Sequence, residues 1–260
     1  SFVGIEGFRS YAAMPLIAKG KVKGVLEVFH RSPLAPDAGW FDFLRTLATQ
    51  AAIAIDQMDL FEELQHTNVE LIESYEKTLE GWAKALEMRD HETGGHSDRV
   101  LKLTMKLADA LGVEREQRDH IRMGALLHDI GKMGVPDHIL HKPGPLNEEE
   151  RRLMRKHPVY AKELLSDIPY LKSAMKIPYC HHERWDGSGY PRGLEGDEIP
   201  LAARIFAVAD VWDALLSDRP YREAWDRTRA LEYIEGQKGQ QFDPVVVDAF
   251  LRIVRDTRDR

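Results

Sequence analysis

The hydrophobic positions of this chain change period once, near Trp40. Before it, residues 1–36 read as strands and loops: YAAMPLIAKG and KVKGVLEVFHR are rich in Val, Leu and Ile, and AKGKVKG between them supplies turn chemistry. After it, WFDFLRTLATQAAIAIDQMDLFEELQ has no Gly or Pro and places apolar residues at helical spacing, which predicts a helix continuing to about Asp90. Phe61, Asn68, Tyr75 and Trp82 recur every seven residues, and Leu64, Leu71 and Thr78 form a second row three residues after the first. This is a short a/d seam of about three heptads. Asn68 at a core position is the residue type that fixes register in a parallel dimer. The seam therefore predicts a parallel homodimer through residues 61–90; the competing reading is an amphipathic helix lying on its own domain.

From Gly94 onward the pattern is helices joined by loops. HSDRVLKLTMKLADALG shows an apolar face at Val100, Leu103, Leu107 and Leu111, ended by Gly112. REQRDHIRMGALLHD follows. NEEERRLMRKHPVYAKELL starts at Asn147 as N-cap with Glu150 three residues later, and Pro158 is expected to kink this helix just after His157. LKSAMKIPYCHHE, PLAARIFAVADVWDALLS and DPVVVDAFLRIV, the last with Pro244 near its first turn, complete the series. The expected fold class is mainly α.

The 260 residues suffice for one large domain or two smaller ones, and 43% hydrophobic with 30% charged residues is the composition of an ordinary globular protein. A net charge of -7 argues against a nucleic-acid polymer or an anionic membrane surface as the main partner. No apolar run is long enough to span a bilayer, so no direct membrane insertion is expected in this segment. The single cysteine, Cys180, allows no intrachain disulfide and fits a reducing cytosol, hence a cytoplasmic location. Ser1 in place of Met suggests a piece of a longer chain.

The candidate chemistry lies in His128-Asp129, inside LLHDIGK, and His181-His182, inside CHHERWDGSGYP. Each pair puts two metal-binding side chains side by side near a helix end. Adjacent bulky polar residues in an apolar helix need a reason to be buried. With His96, His157 and Asp210 they form a set that looks like a ligand shell for more than one ion. Imidazole with carboxylate suits iron, manganese or zinc rather than calcium or magnesium. Such a cluster usually serves to make hydroxide from water at neutral pH. Gly131 is expected to let the chain turn after the first pair, and Gly187 and Gly189 to permit tight turns in DGSGYP, with Tyr190-Pro191 fixing the exit.

His96-X-X-Arg99, then His128-Asp129, then a late Asp210 is the order of the HD phosphohydrolase superfamily. With HETGGHSDRV, LLHDIGKMGVPDHIL, HHERWDGSGYPRGLEGDEIPLAARI, VADVWDALLSDRPYR and FDP, residues 90–254 resemble the HD-GYP domain, a class of bacterial cyclic di-GMP phosphodiesterases. The resemblance implies an all-helical HD-type bundle whose metal ligands are His96, His128, Asp129, His157, His181, His182 and Asp210. Asp129 is implied as the bridge between two ions, and Glu92 as a contributor to a third. Two or three divalent ions, iron or manganese, would then arm a hydroxide that opens cyclic di-GMP to pGpG, with hydrolysis either stopping there or going onward to GMP. Lys132 resembles the family lysine that contacts the phosphate. The resemblance implies that Tyr190 stands near the substrate, and Arg219 and Arg222 resemble the family's phosphate and guanine contacts. Asp213 shares a helix face with Asp210 and is expected to orient a ligand histidine or accept a proton.

Two positions depart from the family pattern. Trp212 and Leu216 stand where it more often has smaller or polar residues, which leaves the ligands intact and bears on pocket shape. Residues 1–60 resemble the closing half of a GAF domain, an α+β segment whose opening half is absent. The expected organisation is thus 1–60 sensor segment, 61–90 coiled-coil signalling helix and 91–260 phosphodiesterase domain. Two other functions stay open at this point: a phosphodiesterase for another cyclic dinucleotide, and a catalytically silent receptor.

Overall fold

A computed structural model describes residues 7–90, 95–218 and 223–256. The chain divides into two compact units, Ser1–Ser74 and Tyr75–Arg260.

In the first unit, strands β1 (Ser10–Ala18) and β2 (Lys21–His30) form an antiparallel hairpin. The turn is two residues, Lys19 and Gly20, both with positive φ, the geometry that matches strand twist. Helix α1 (Ala38–Asp90) follows, opened by the Asp37 carboxylate accepting from the Trp40 N–H at 2.8 Å. Leu16 and Ala18, two apart on one face of β1, pack on Ala48 and Ala52, four apart on α1. Small residues on the helix let it lie close to the sheet. Lys23 reaches Asp56 at 2.8 Å and Asp59 at 2.9 Å. The strands expected before residue 36 and the helix expected from Trp40 to Asp90 are both present.

The second unit is helical among its described residues. The last turns of α1 bury Leu79, Ala83 and Leu86, a spacing of four and three. Leu79 packs with Met123, Leu127, Ala161 and Leu165. Arg122 reaches Glu76 and Glu80 of α1 at 3.4 and 3.3 Å. The bundle continues through α2 (His96–Ala110), α3 (Arg115–Leu126), a 3₁₀ turn at Ile130–Gly134, the single turn α4 (Asp137–Leu140), α5 (Glu148–Met154), α6 (His157–Leu165), α7 (Lys176–Cys180), α8 (Leu201–Leu216), α9 (Arg227–Gly236) and α10 (Pro244–Asp256). Helix α8 is mostly apolar and largely buried; its Ile205, Phe206 and Val208 are fully enclosed, so it is the axis about which the core is built. The fold is mainly α, as the periodicity predicts.

Local signals hold where they concern caps. Asn147 and Glu150 form a reciprocal capping box, both bonds at 2.8 Å. Gly112, with φ of 69°, follows the end of α2 in left-handed geometry. The expected kink at Pro158 is corrected: the chain breaks two residues earlier, at Arg155–Lys156, into separate helices α5 and α6. Pro158 then lies in the first turn of α6, where its missing N–H is no loss. Gly131 is corrected as well. It is not among the left-handed residues, and a β-carbon there would stand 1.8 Å from the His157 carbonyl oxygen. Its role is the close approach of the 3₁₀ turn to α6. Gly187 does turn the chain, with φ of 75°, whereas Gly189 permits contact with the backbone of Arg184.

Replacing Gly131 by Ala should therefore cost about 3 kcal/mol. Gly81→Ala on α1, where nothing stands within 4 Å, should stabilise by about 0.5–1 kcal/mol through helix propensity. Urea unfolding of the two variants measures both; a cost below about 1 kcal/mol at Gly131 would show that α6 does not need this approach.

Candidate metal centre

Most of the predicted donors stand at helix ends. His96 and His157 are the first residues of α2 and α6, His128-Asp129 follow the end of α3, and His181-His182 follow the end of α7. Only Asp210 and Asp213 come from the interior of a helix, α8. Helix ends leave carbonyls without intrahelical partners. Three histidines use carbonyls of this kind: the Nδ1 of His128 lies 2.9 Å from the Ala125 carbonyl oxygen, that of His157 2.9 Å from Met154, and that of His181 3.2 Å from Pro178, with the Ile177 carbonyl, which also accepts the His181 backbone N–H, at 3.1 Å. A carbonyl only accepts, so each Nδ1 carries the proton and each Nε2 is left as a bare lone pair. His96 is held by a carboxylate instead, its Nδ1 2.7 Å from Asp213 Oδ2. Arg99 grips the same Asp213 with two bonds, at 2.7 and 3.0 Å.

The lone pairs converge. His157 Nε2 and His181 Nε2 are 3.4 Å apart. Asp129 Oδ1 lies 3.4 Å from the first and 3.7 Å from the second. Its other oxygen is 3.0 Å from His128 Nε2, and His96 Nε2 is 3.4 Å from Asp210 Oδ1. The donors fall into two groups: Asp129, His157, His181 and His182, and His96, His128 and Asp210. Asp129 stands between them, one oxygen toward each.

The electrostatics favour a cation. Burial lowers the affinity of His157 for a proton, pushes His182 down to about 4, and with His182 and His157 beside it holds His181 well below the usual imidazole range. The rings are therefore neutral. Burial alone would raise the Asp129 carboxyl, but Lys132 and His128 outweigh it and hold it well below the usual range. Burial likewise opposes ionisation of Asp210, and the neighbouring His96 and His128 outweigh it and hold the carboxyl below its usual range. Neutral acceptors and ionised carboxylates facing one another repel unless a positive ion lies between them. The donor set thus fits divalent ions, and its mixture of imidazole and carboxylate is that of iron, manganese or zinc.

Lys132, in the 3₁₀ turn, contacts both Asp129, at 2.8 Å, and Asp90 at the end of α1. Its neighbour Arg89 donates to the Val135 carbonyl at 3.0 Å and to Asp137 at 2.7 Å. Tyr190 borders a cleft of about 260 Å³ that also touches His182, Asp210, Arg155 and Arg184. Its ring stacks on His182, centroids 4.7 Å apart, and the Arg155 guanidinium lies 5.2 Å above it. Burial raises the Tyr190 hydroxyl well above its usual pKa. Glu92, Arg219 and Arg222 lie outside the described residues.

Sequence reasoning missed four members of this environment. Asp90 precedes the HETGGH motif and is paired with a lysine 42 positions on, so no local pattern marks it. Arg155 and Arg184 read as ordinary surface charges. Glu183 was legible, as a carboxylate following two buried histidines: it is buried and accepts from the N–H groups of Arg192 and Leu194 at 2.8 and 3.0 Å, which fixes the loop beyond Tyr190.

A family model for the HD domain matches residues 80–246. The chain belongs to the HD domain family. The HD domain is metal-dependent, and the buried His/Asp cluster above is a donor set that fits metal ions. The HD-GYP resemblance drawn from the motifs stands with it. A second model, for the GAF domain, matches residues 3–56. Among relatives, the chain is 46% identical over 197 residues to the cyclic di-GMP phosphodiesterase response regulator RpfG of Xanthomonas campestris pv. campestris, covering 75% of this chain and 52% of that one. It is 39% identical over 201 residues to the 3'3'-cGAMP-specific phosphodiesterase 2 of Vibrio cholerae, covering 76% and 37%. The HD chain thus spans about half or less of the length of these relatives. A solved cyclic GMP-AMP specific phosphodiesterase in V. cholerae superposes with a TM-score of 0.54 at 19% identity, over 70% of this chain and 49% of that one, a likeness of fold.

Asp213 holds His96 without lying among the grouped donors. Asp213→Asn should weaken divalent-metal affinity by about 10–100-fold while leaving the fold intact. Chelator competition measures it; unchanged affinity would remove Asp213 from the metal's support.

Proposed function

We propose that this chain hydrolyses a phosphodiester of cyclic di-GMP, giving pGpG and then GMP. The observation that carries the proposal is the two donor groups with Asp129 between them, beside the arginine-rimmed cleft. Iron or manganese is the metal we assign, held by His96, His128, Asp129, His157, His181, His182 and Asp210, with Glu92 toward a third ion. Divalent ions held there would supply Lewis acidity to a phosphoryl oxygen and lower the pKa of water.

The chain's own residues do the rest. Lys132, held between Asp90 and Asp129, presents an ammonium to a phosphate oxygen entering over Asp129. Arg155 and Arg184, with Arg219 and Arg222, supply forks for the second phosphate and planes for guanine stacking. Tyr190, pinned on His182, shapes the pocket wall and stays protonated. Both oxygens of Asp213 are engaged by His96 and Arg99, which favours orienting His96 over accepting a proton. Intact His128, Asp129 and Lys132 weigh against a silent receptor. The cGAMP-specific relative supports a second reading, hydrolysis of a mixed cyclic dinucleotide by the same centre.

Regulation and assembly belong to the same proposal. Residues 1–60 act as a sensor segment, 61–90 as a signalling helix and 91–260 as the catalytic domain. No helix among the described residues is long and apolar enough to cross a membrane, and we place the chain in the cytoplasm. The seam supports a parallel dimer: Phe61, Leu64 and Leu71 are 60%, 66% and 51% exposed on the single chain.

Protein purified without oxygen and supplied with Mn²⁺ or Fe²⁺ should release pGpG or GMP from cyclic di-GMP. Asp129→Ala should reduce this by at least about 10³-fold, since it removes a ligand from both donor groups. Binding without turnover would move the chain to the receptor reading, and faster turnover of 3'3'-cGAMP to the second. In sedimentation the wild type should run as a dimer and Leu64→Glu/Leu71→Glu as a monomer; a monomeric wild type at micromolar concentration would end the seam assignment.

A further inference from the structure

Trp212 and Leu216, the two departures from the HD-GYP pattern, do not line the cleft beside the metal centre. They line a separate groove of about 400 Å³, and the two cavities share no residue. Four cations surround this groove: Arg99, Lys102 and Lys106 of α2, and Arg227 of α9. Its one carboxylate is Asp213, already gripped by Arg99 and His96. Neither Lys102 nor Lys106 has a carboxylate partner among the described residues. Arg99, Lys102 and Lys106 fall on one helix face at spacings of three and four, where like charges destabilise a helix. In a chain of net charge -7 this is a local positive basin, four cations against the single carboxylate of Asp213.

The floor of the basin is apolar. Trp212 is packed edge-on against Phe250, and the Arg227 guanidinium lies 5.7 Å over the Trp212 ring while donating to the Val254 carbonyl at 3.1 Å. Arg227 is thus held above an aromatic floor, and a guanidinium offers a face on which a heterocycle stacks. Lys102 and Lys106, one turn apart, suit the oxygens of a phosphate. The volume is at the small end for organic ligands. We propose that this groove is a second binding site, distinct from the catalytic cleft, for a nucleoside monophosphate. Arg99 lines it and also clamps Asp213, which holds His96, so a bound phosphate that draws on Arg99 acts on the metal centre from outside.

Equilibrium dialysis of the full chain with GMP in excess chelator tests this without using activity, so its failure leaves the hydrolase reading untouched. Lys102→Glu/Lys106→Glu should weaken GMP binding at least tenfold with melting no lower than the wild type's, whereas the same reversal at Lys77 and Lys84 on α1 should change it less than twofold. Equal affinity in the groove variant and the wild type overturns the site. So does inorganic phosphate displacing GMP as effectively as unlabelled GMP, because the apolar floor would then contribute nothing.

Discussion

The Nε2 atoms of His157 and His181 and the Oδ1 of Asp129 lie within 3.4 to 3.7 Å of one another in the buried interior, and none of the three has a proton to give. Acceptors are brought this close only if a cation repays the repulsion and the lost hydration. Much of the second unit follows from that constraint. The ends of α3, α6 and α7 must meet at one point, and α8 must pass beside them to bring Asp210. Helix-end carbonyls then supply what these three histidines need, an acceptor for Nδ1 that fixes the tautomer. Gly131 belongs to the same requirement. Only a residue without a side chain lets the turn after His128-Asp129 touch the first turn of α6, which delivers His157.

The positive groups around the centre are graded by what they touch. Lys132 faces Asp129 directly and is shared with the last residue of α1. Arg99 reaches the centre through Asp213 and His96. Arg155 reaches it through Tyr190 and His182. A displacement at the end of α1 therefore has a short path to Asp129, through the Asp90 to Lys132 contact and the Arg89 bonds to the neighbouring turn. That is the physical form a signal along the helix would take.

Much of this was legible in the sequence, for reasons that separate by range. The helices of the bundle follow from apolar periodicity, and the start of α5 from the Asn147 and Glu150 pair, because both are written within a few residues. That these donors cluster was legible because paired histidines and an embedded His-Asp have few other uses beside apolar helices. What escaped was set by contacts between distant segments. The break at Arg155–Lys156 rather than at Pro158 serves the position of His157, which local propensity does not encode. Gly131 reads as a turn residue until α6 is seen against it. Asp90 and Arg155 gain their meaning only from partners 42 and 35 positions away. Trp212 and Leu216 stood out by sequence, yet the groove they line needed α9 and α10 in place.

The central claim is that these side chains hold adjacent cations. Anomalous diffraction from crystals grown with Mn²⁺ tests it most directly. The account predicts two neighbouring peaks with Asp129 between them, one within about 2.3 Å of the His157 and His181 Nε2 atoms and the other against His96, His128 and Asp210. A map with no peak inside the cluster, in crystals whose surface carboxylates bind manganese, would contradict it.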